Sequence, residues 1–256
     1  MQKYVDLGRP KDKGRSNATY LAMIESIDTS FGRIVGALER TGRTDNTIVV
    51  FFSDNGAVSW HGRNAPFRGE KKTFYEGGIR VPLFVRVPGV TAAGSTTDVP
   101  VNGIDFLPTF VELTGGNPAD LPTTLDGVSI RSVLEGGEAP QRESIYWHHP
   151  ALSRHYAEIP PQGAVREGDW KLVDFYGDHR RDELYNLADD PSEENNLARQ
   201  HPDRVERMRA MLEAHLDDVG AQRVTPIAAQ PSTGANDAEL AASGGASGQT
   251  APTGRP

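Results

Sequence analysis

Between residues 16 and 39, Tyr20, Ile24, Ile27, Phe31, Ile34, Val35 and Leu38 recur at three- and four-residue steps. That spacing predicts an amphipathic helix with one apolar stripe. Ser16 or Asn17 is placed to cap its start, and Gly42 follows its end. The pattern then changes to Thr47-Ile48-Val49-Val50-Phe51-Phe52, an apolar run without polar alternation. Such a run suits a strand covered on both faces, as in a parallel sheet flanked by helices. A second apolar strand is predicted over Val81 to Val87, ended by Pro88-Gly89, and a helix over Asp105 to Leu113, closed by Gly115-Gly116.

After residue 140 the texture shifts to short strands split by turn-rich or charged stretches. Glu143 to Trp147, Gly163 to Arg166, Trp170 to Phe175 and Glu183 to Leu187 predict a small antiparallel sheet. Val205, Met208, Met211, Leu212 and Leu216 then share one face of a helix over Pro202 to Asp217. From Thr225 to Pro256 the chain is Ala, Gly, Ser, Thr and Pro with almost no large apolar groups. Such a segment buries too little surface to offset its ordering entropy and is expected to be disordered. The expected class is α/β. The remnant of a parallel-type sheet covered by helices occupies residues 1–140, an α+β subdomain with an antiparallel sheet occupies 141–220, and a tail covers 221–256.

Composition narrows the chemistry. The 256 residues carry a formal net charge of −8, which argues against a nucleic-acid partner because phosphate binding needs a basic face. No apolar run is long enough to span a bilayer. Cysteine is absent, so disulfides, thiolate metal sites and cysteine nucleophiles are excluded within these residues. Met1 to Arg15 is polar and lacks the apolar core of a signal peptide.

Two segments could carry chemistry. Ser53-Asp54-Asn55-Gly56 follows the apolar strand directly, where ligands collect in α/β sheets. Asp54 and Asn55 offer hard oxygen donors suited to Ca²⁺ or Mg²⁺, although Asn-Gly also reads as a simple turn. Pro66 to Pro82 gathers cations and glycines before a strand. There Lys71 could bind an anionic ester, and a solvated basic loop is the plainer alternative. His61, in Trp60-His61-Gly62, could serve as a general acid or simply face solvent. His148-His149 and His155 could line a substrate pocket. Adjacent histidines on a strand point to opposite faces, so the pair does not suggest joint metal ligation. Arg80 is expected to pair with Glu76 or Asp54.

Taken together and in order, these segments resemble the sulfatase family, within the alkaline-phosphatase-like superfamily. The pattern is a strand, Asp-Asn-Gly, a short loop, Arg-Gly-x-Lys, then Glu-Gly-Gly-x-Arg-x-Pro, here Thr47 to Gly56 and Arg68 to Pro82. Further matches are Tyr20 to Gly42, Val101 to Gly115, Asp126 to Ser129, Ala164 to Leu172, and Glu183 to Leu187 leading to Asp190-Pro191 and Glu194 to Leu197. The resemblance spans roughly residues 16 to 215.

It implies metal-assisted S–O cleavage of a small-molecule or glycan sulfate ester. Asp54 and Asn55 would be ligands of a divalent cation, usually Ca²⁺, and Lys71 the lysine that contacts the sulfate. Lys72 has the weaker claim, and Glu76 with its glycines would shape the loop. Family members use a formylglycine nucleophile made from a Cys/Ser-x-Pro-x-Arg motif. That motif does not occur here, and neither do the family's paired N-terminal aspartates. The chain is therefore expected to be the C-terminal portion of such an enzyme, starting in mid-domain and inactive by itself. A phosphodiester or phosphonate hydrolase of the same superfamily and a non-catalytic binding chain remain alternatives. Substrate identity, compartment and oligomeric state are left open.

Overall fold

The computed structural model describes residues 1–9, 17–150, 160–177 and 181–223, and residues 1–223 form one unit. The expected tail disorder and His155 lie outside the described residues. A short helix α1 (Gln2–Asp6) precedes α2 (Ala18–Arg40). Asn17 caps α2 by accepting a hydrogen bond from the Tyr20 amide at 2.7 Å, which satisfies one of the donors every helix start leaves free. Past its end, the Arg43 amide donates to the Leu38 carbonyl, with Gly42 in the left-handed region.

Strand β1 (Val49–Phe52) pairs with β2 (Leu83–Arg86), with Val50 opposite Val85 and Phe51 opposite Phe84. The pairing is antiparallel, where the unalternated run of β1 suggested a parallel neighbour. Among the described residues β1 has only this partner, reached through the long 53–82 loop, and no parallel pair forms. The apolar run is explained differently. Successive side chains of β1 point to opposite faces, and a helix meets each. Phe31 of α2 packs edge-on to Phe51, and Phe106 of α4 (Phe106–Leu113) packs edge-on to Phe52. Helices thus cover both faces, as expected of an α/β layer.

The cover is incomplete. Ile24, Ile27, Ile34 and Phe52 are about half exposed, and Phe84 about two-thirds. A helix of 23 residues is ~35 Å long, whereas four-residue strands reach only ~13 Å. A two-stranded ribbon cannot shield that stripe.

The second half differs. A four-stranded antiparallel sheet runs β3 (Ile145–His149), β4 (Gln162–Glu167), β5 (Trp170–Phe175), β6 (Glu183–Asn186) in spatial order. Each strand neighbours the next in sequence. One face, with Val165, Leu172 and Leu184, packs against Val205, Met208, Leu212 and Leu216 of the final helix, Pro202–Asp218. The other face, with Trp147, Ala164, Val173 and Phe175, packs against Phe74 and Tyr75. Both come from the loop before β2, so the Lys71 loop is the second wall of this sheet. Between β2 and the sheet, Asp105 is fully buried and accepts from the amides of Asn102 and Val128 and from the Arg142 guanidinium.

Candidate functional site

The loop from Ser53 to Pro82 is held by backbone contacts that only glycine allows. The Gly56 amide donates to the Gly78 carbonyl at 2.9 Å, and the Gly77 amide donates to the Arg68 carbonyl at 2.7 Å. A Cβ on Gly56 would sit 1.9 Å from the Gly77 carbonyl oxygen, and one on Gly77 would sit 2.4 Å from the Arg68 carbonyl oxygen. Both are impossible separations, so the Asp-Asn-Gly turn and the Glu-Gly-Gly turn (α3, Glu76–Ile79) lie backbone on backbone. A third tie brings in the lysine: the Lys71 amide donates to the Ala57 carbonyl at 3.2 Å. Lys72, beside it, is forced to a positive φ of 83° without being glycine, a conformation that persists only where its surroundings over-determine it.

Asn64 and Glu70 hold the intervening loop. The Asn64 amide group accepts from the Ala57 amide and donates to the carbonyls of Ala57 and Gly69. The Glu70 carboxylate accepts from the Ser59 amide. Sequence reasoning missed both residues, because polar side chains in a loop carry no local sign that they are spent on backbone.

A different set of side chains has no such occupation. Asp54 is exposed just beyond the end of β1; Asn55 and Lys71 are half-buried. Among the described residues the Asp54 carboxylate, the Asn55 side-chain amide and the Lys71 ammonium make no hydrogen bond or ion pair. The structure therefore brings the sequence-predicted Asp54, Asn55 and Lys71 onto one tied loop and leaves their functional groups unspent. His61 is on the same loop, exposed, with its ring stacked on Tyr20 and Nδ1 3.4 Å from Asn17 Nδ2. Asn17 Oδ1 is taken by the Tyr20 amide, so Nδ2 faces His61 and donates to Nδ1. In the neutral ring the proton then sits on Nε2.

The histidine pair on β3 is placed elsewhere. His148 is engaged at both ring nitrogens, with Nδ1 2.6 Å from the Tyr176 hydroxyl and Nε2 donating to the Gln222 carbonyl at 2.8 Å. Its ring fastens the sheet to the segment that follows the final helix. His149 is half-buried at the end of β3. Arg80 lies 3.7 Å from Glu76, one of the two partners expected for it.

A divalent cation of the Ca²⁺ or Mg²⁺ kind takes hard oxygen donors, six or more of them. The Asp54 carboxylate and the Asn55 carbonyl oxygen fit that preference, adjacent and unspent. No cluster of three or more His, Asp or Glu able to hold a metal occurs among the described residues, so the two fit as part of a coordination shell.

Behind the loop, Arg68 donates to the hydroxyls of Tyr185 (2.6 Å) and Tyr75 (3.0 Å), to Glu183 (3.1 Å) and to the Glu193 carbonyl (3.2 Å). Both tyrosine hydroxyls donate to the same Glu183 oxygen, at 2.7 and 2.6 Å. Burial, reinforced by Glu183, pushes both phenols far above their usual range, so they act as neutral donors. Next to this network Lys171 of β5, fully buried, bridges Glu76 at 2.7 Å and Glu193 at 2.6 Å. Burial raises the Glu193 carboxyl, with Lys171 pulling the other way. One sign of Lys171 is present in the sequence: it shares its strand parity with Val173 and Phe175, so it needed a buried partner.

Comparison with known proteins agrees along the whole described unit. The Sulfatase family model matches residues 3–116, and the N-sulphoglucosamine sulphohydrolase C-terminal model matches residues 67–222. A sulfatase of Formosa agariphila is 37% identical over 210 residues, 75% of this chain and 37% of that protein. An N-acetylglucosamine-6-O-sulfatase of Bacteroides thetaiotaomicron is 36% identical over 187 residues, 70% of this chain and 31% of that protein. The chain thus spans about a third of the length of these relatives.

Among solved structures, one in complex with its substrate D-glucosamine-2-N,6-O-disulfate superposes with a TM-score of 0.65 at 30% identity, covering 78% of this chain and 40% of that one. A phosphonate monoester hydrolase of Agrobacterium radiobacter gives 0.59 at 28%, covering 77% and 40%. With both halves of the loop-and-sheet unit matched by family models, the chain belongs to the sulfatase family.

Proposed function

We propose that this chain supplies the cation- and sulfate-facing part of a site that hydrolyses sulfate esters, with sulfated sugars as the substrate class. The observation that carries the reading is the contrast within one loop: Asn64, Glu70 and Glu76 are spent on structure, while Asp54, Asn55 and Lys71 are held in place with nothing to bind. Lys71 takes a sulfuryl oxygen through its ammonium, where negative charge grows as the S–O bond breaks. Asp54 and Asn55 would hold a divalent cation, Ca²⁺ first and Mg²⁺ second. When bound, that ion adds further electrostatic stabilisation at the sulfuryl oxygens. His61 donates its Nε2 proton to the leaving-group oxygen. His148 and His149 were candidates for the substrate side. His148 is occupied by Tyr176 and Gln222, which leaves His149 as the member able to meet a ligand. The nucleophile enters from sequence outside these 256 residues, which contain no Cys/Ser-x-Pro-x-Arg.

The test is calorimetric titration of the chain with glucosamine 6-sulfate in the presence of Ca²⁺. Lys71→Ala is expected to weaken binding about tenfold or more, the scale of one charge-assisted hydrogen bond, while Lys72→Ala stays within about twofold. Equal affinity in wild type and Lys71→Ala removes Lys71 from the reading. In a form of the protein that turns over, Lys71→Ala lowers kcat/KM about a hundredfold, and Asp54→Ala abolishes bound metal by elemental analysis. A second reading, phosphonate or phosphodiester hydrolysis, is favoured by the likeness to the phosphonate monoester hydrolase. Preference for a phenylphosphonate ester over the sulfate ester in the same titration would select it.

A further inference from the structure

We infer that Lys171 and Glu193 are positioning residues for the Asp54–Lys71 loop: a buried ion triad with Glu76 through which the β3–β6 sheet holds the ligand-facing side chains in register. The inference rests on the reading of that loop as the sulfate-ester site.

Lys171 and Glu193 are fully buried, and the Glu76 side chain is 4% exposed. Lys171 Nζ sits between Glu76 Oε1 at 2.7 Å and Glu193 Oε1 at 2.6 Å. The second Glu193 oxygen accepts from the Glu76 amide at 2.6 Å, so Glu193 grips the same residue by backbone and, through Lys171, by side chain. Two carboxylates against one ammonium leave a net negative charge, which Arg80 balances from the surface at 3.7 Å from Glu76. Burying three charges is costly relative to apolar packing. A sheet that needed only cohesion at this point would be better served by leucine, as its other face shows.

What the triad provides that leucine cannot is direction. It fixes the residue from which the Gly77 and Gly78 backbone reaches Arg68, Thr73 and Gly56. Gly78 in turn fixes Gly56, the neighbour of Asp54 and Asn55. Glu193 is itself held at a positive φ of 57°, with its carbonyl on Arg68. The sheet thus reaches the metal-ligand turn in two steps: Lys171 to Glu76, and Gly78 to Gly56.

The experiment is amide hydrogen exchange on the 256-residue chain, wild type against Lys171→Met and Glu193→Gln, with glucosamine 6-sulfate titrated into each. In Lys171→Met the amides of Gly56, Lys71, Gly77 and Gly78 are expected to exchange about tenfold faster or more, as befits a buried pair stripped of one partner. The amides of Met208 and Leu212, in the final helix that covers the opposite face of the sheet, should keep their protection. Exchange rising equally everywhere would make the triad ordinary structural cement and overturn the inference, and so would unchanged exchange at the four loop amides. Should Lys171→Met fail to fold, Glu193→Gln decides, since it keeps the volume and one acceptor and should loosen the same four amides several-fold. Loosened amides with sulfate-ester binding that is indifferent to Lys71→Ala would uphold the clamp and reject the functional reading of the loop.

Discussion

The two halves of this protein treat their apolar residues in opposite ways. The β3–β6 sheet is closed on both faces, by the final helix on one side and by Phe74 and Tyr75 of the loop before β2 on the other. The helix α2 and the β1–β2 ribbon keep Ile24, Ile27, Ile34, Phe52 and Phe84 substantially exposed. Both halves carry good amphipathic patterns, so the difference is not one of sequence quality. It lies in how much surface each element finds opposite itself. A four-stranded sheet offers an area that a 17-residue helix can cover; a ribbon of four-residue strands does not cover a 23-residue helix. The loop with Asp54 and Lys71 runs between β1 and β2 and is anchored in the closed half through Phe74, Tyr75 and Glu76.

The sharpest way to break the comparison is in the closed core. Leu212→Ala, at a fully buried position against Val165 and Leu172, is expected to cost about 2–5 kcal/mol by urea unfolding. Gly77→Ala tests the joint between the halves. Its methyl would meet the Arg68 and Gly69 carbonyls, so about 1–3 kcal/mol should be lost, together with faster exchange of the Gly56 amide.

A smaller effect belongs to Glu167, which Arg207 of the final helix engages at the rim. The Arg207 hydrogen bond lowers the Glu167 carboxyl below its usual value. Its contribution is therefore present above the unfolded pKa and lost as pH falls through the folded one. Glu167→Gln should cost about 0.2–1 kcal/mol at pH 7 and converge with wild type once the pH is below both values, as thermal melts at pH 7 and at strongly acidic pH would show. The smallest effect is expected in the open half. Ile27→Ala, at a half-exposed position, should change stability by no more than about 0.5 kcal/mol. A loss above about 1 kcal/mol would mean that the α2 stripe is covered in solution and would erase the contrast.

Much of the local structure was legible in the residues. Asn17 and Gly42 bracket α2, and the strands β3 to β6 fall within a few residues of their alternating or turn-bounded runs. The helices and strands are legible because their periodicities come from backbone geometry acting over a few residues. Asp54, Asn55 and Lys71 had plainer readings as a turn and a solvated loop, and it was the ordered set of motifs resembling the sulfatase family that singled them out.

The tertiary structure decided the rest. It set β1 antiparallel to β2, gave His148 to Tyr176 and Gln222 instead of an open pocket, and joined Glu76 to Lys171 and Glu193 across 95 and 117 residues of chain. No periodicity spans such separations. A buried lysine signals that a partner must exist, but which carboxylate arrives is settled only when the sheet and the loop close on each other and leave the charge no water to turn to.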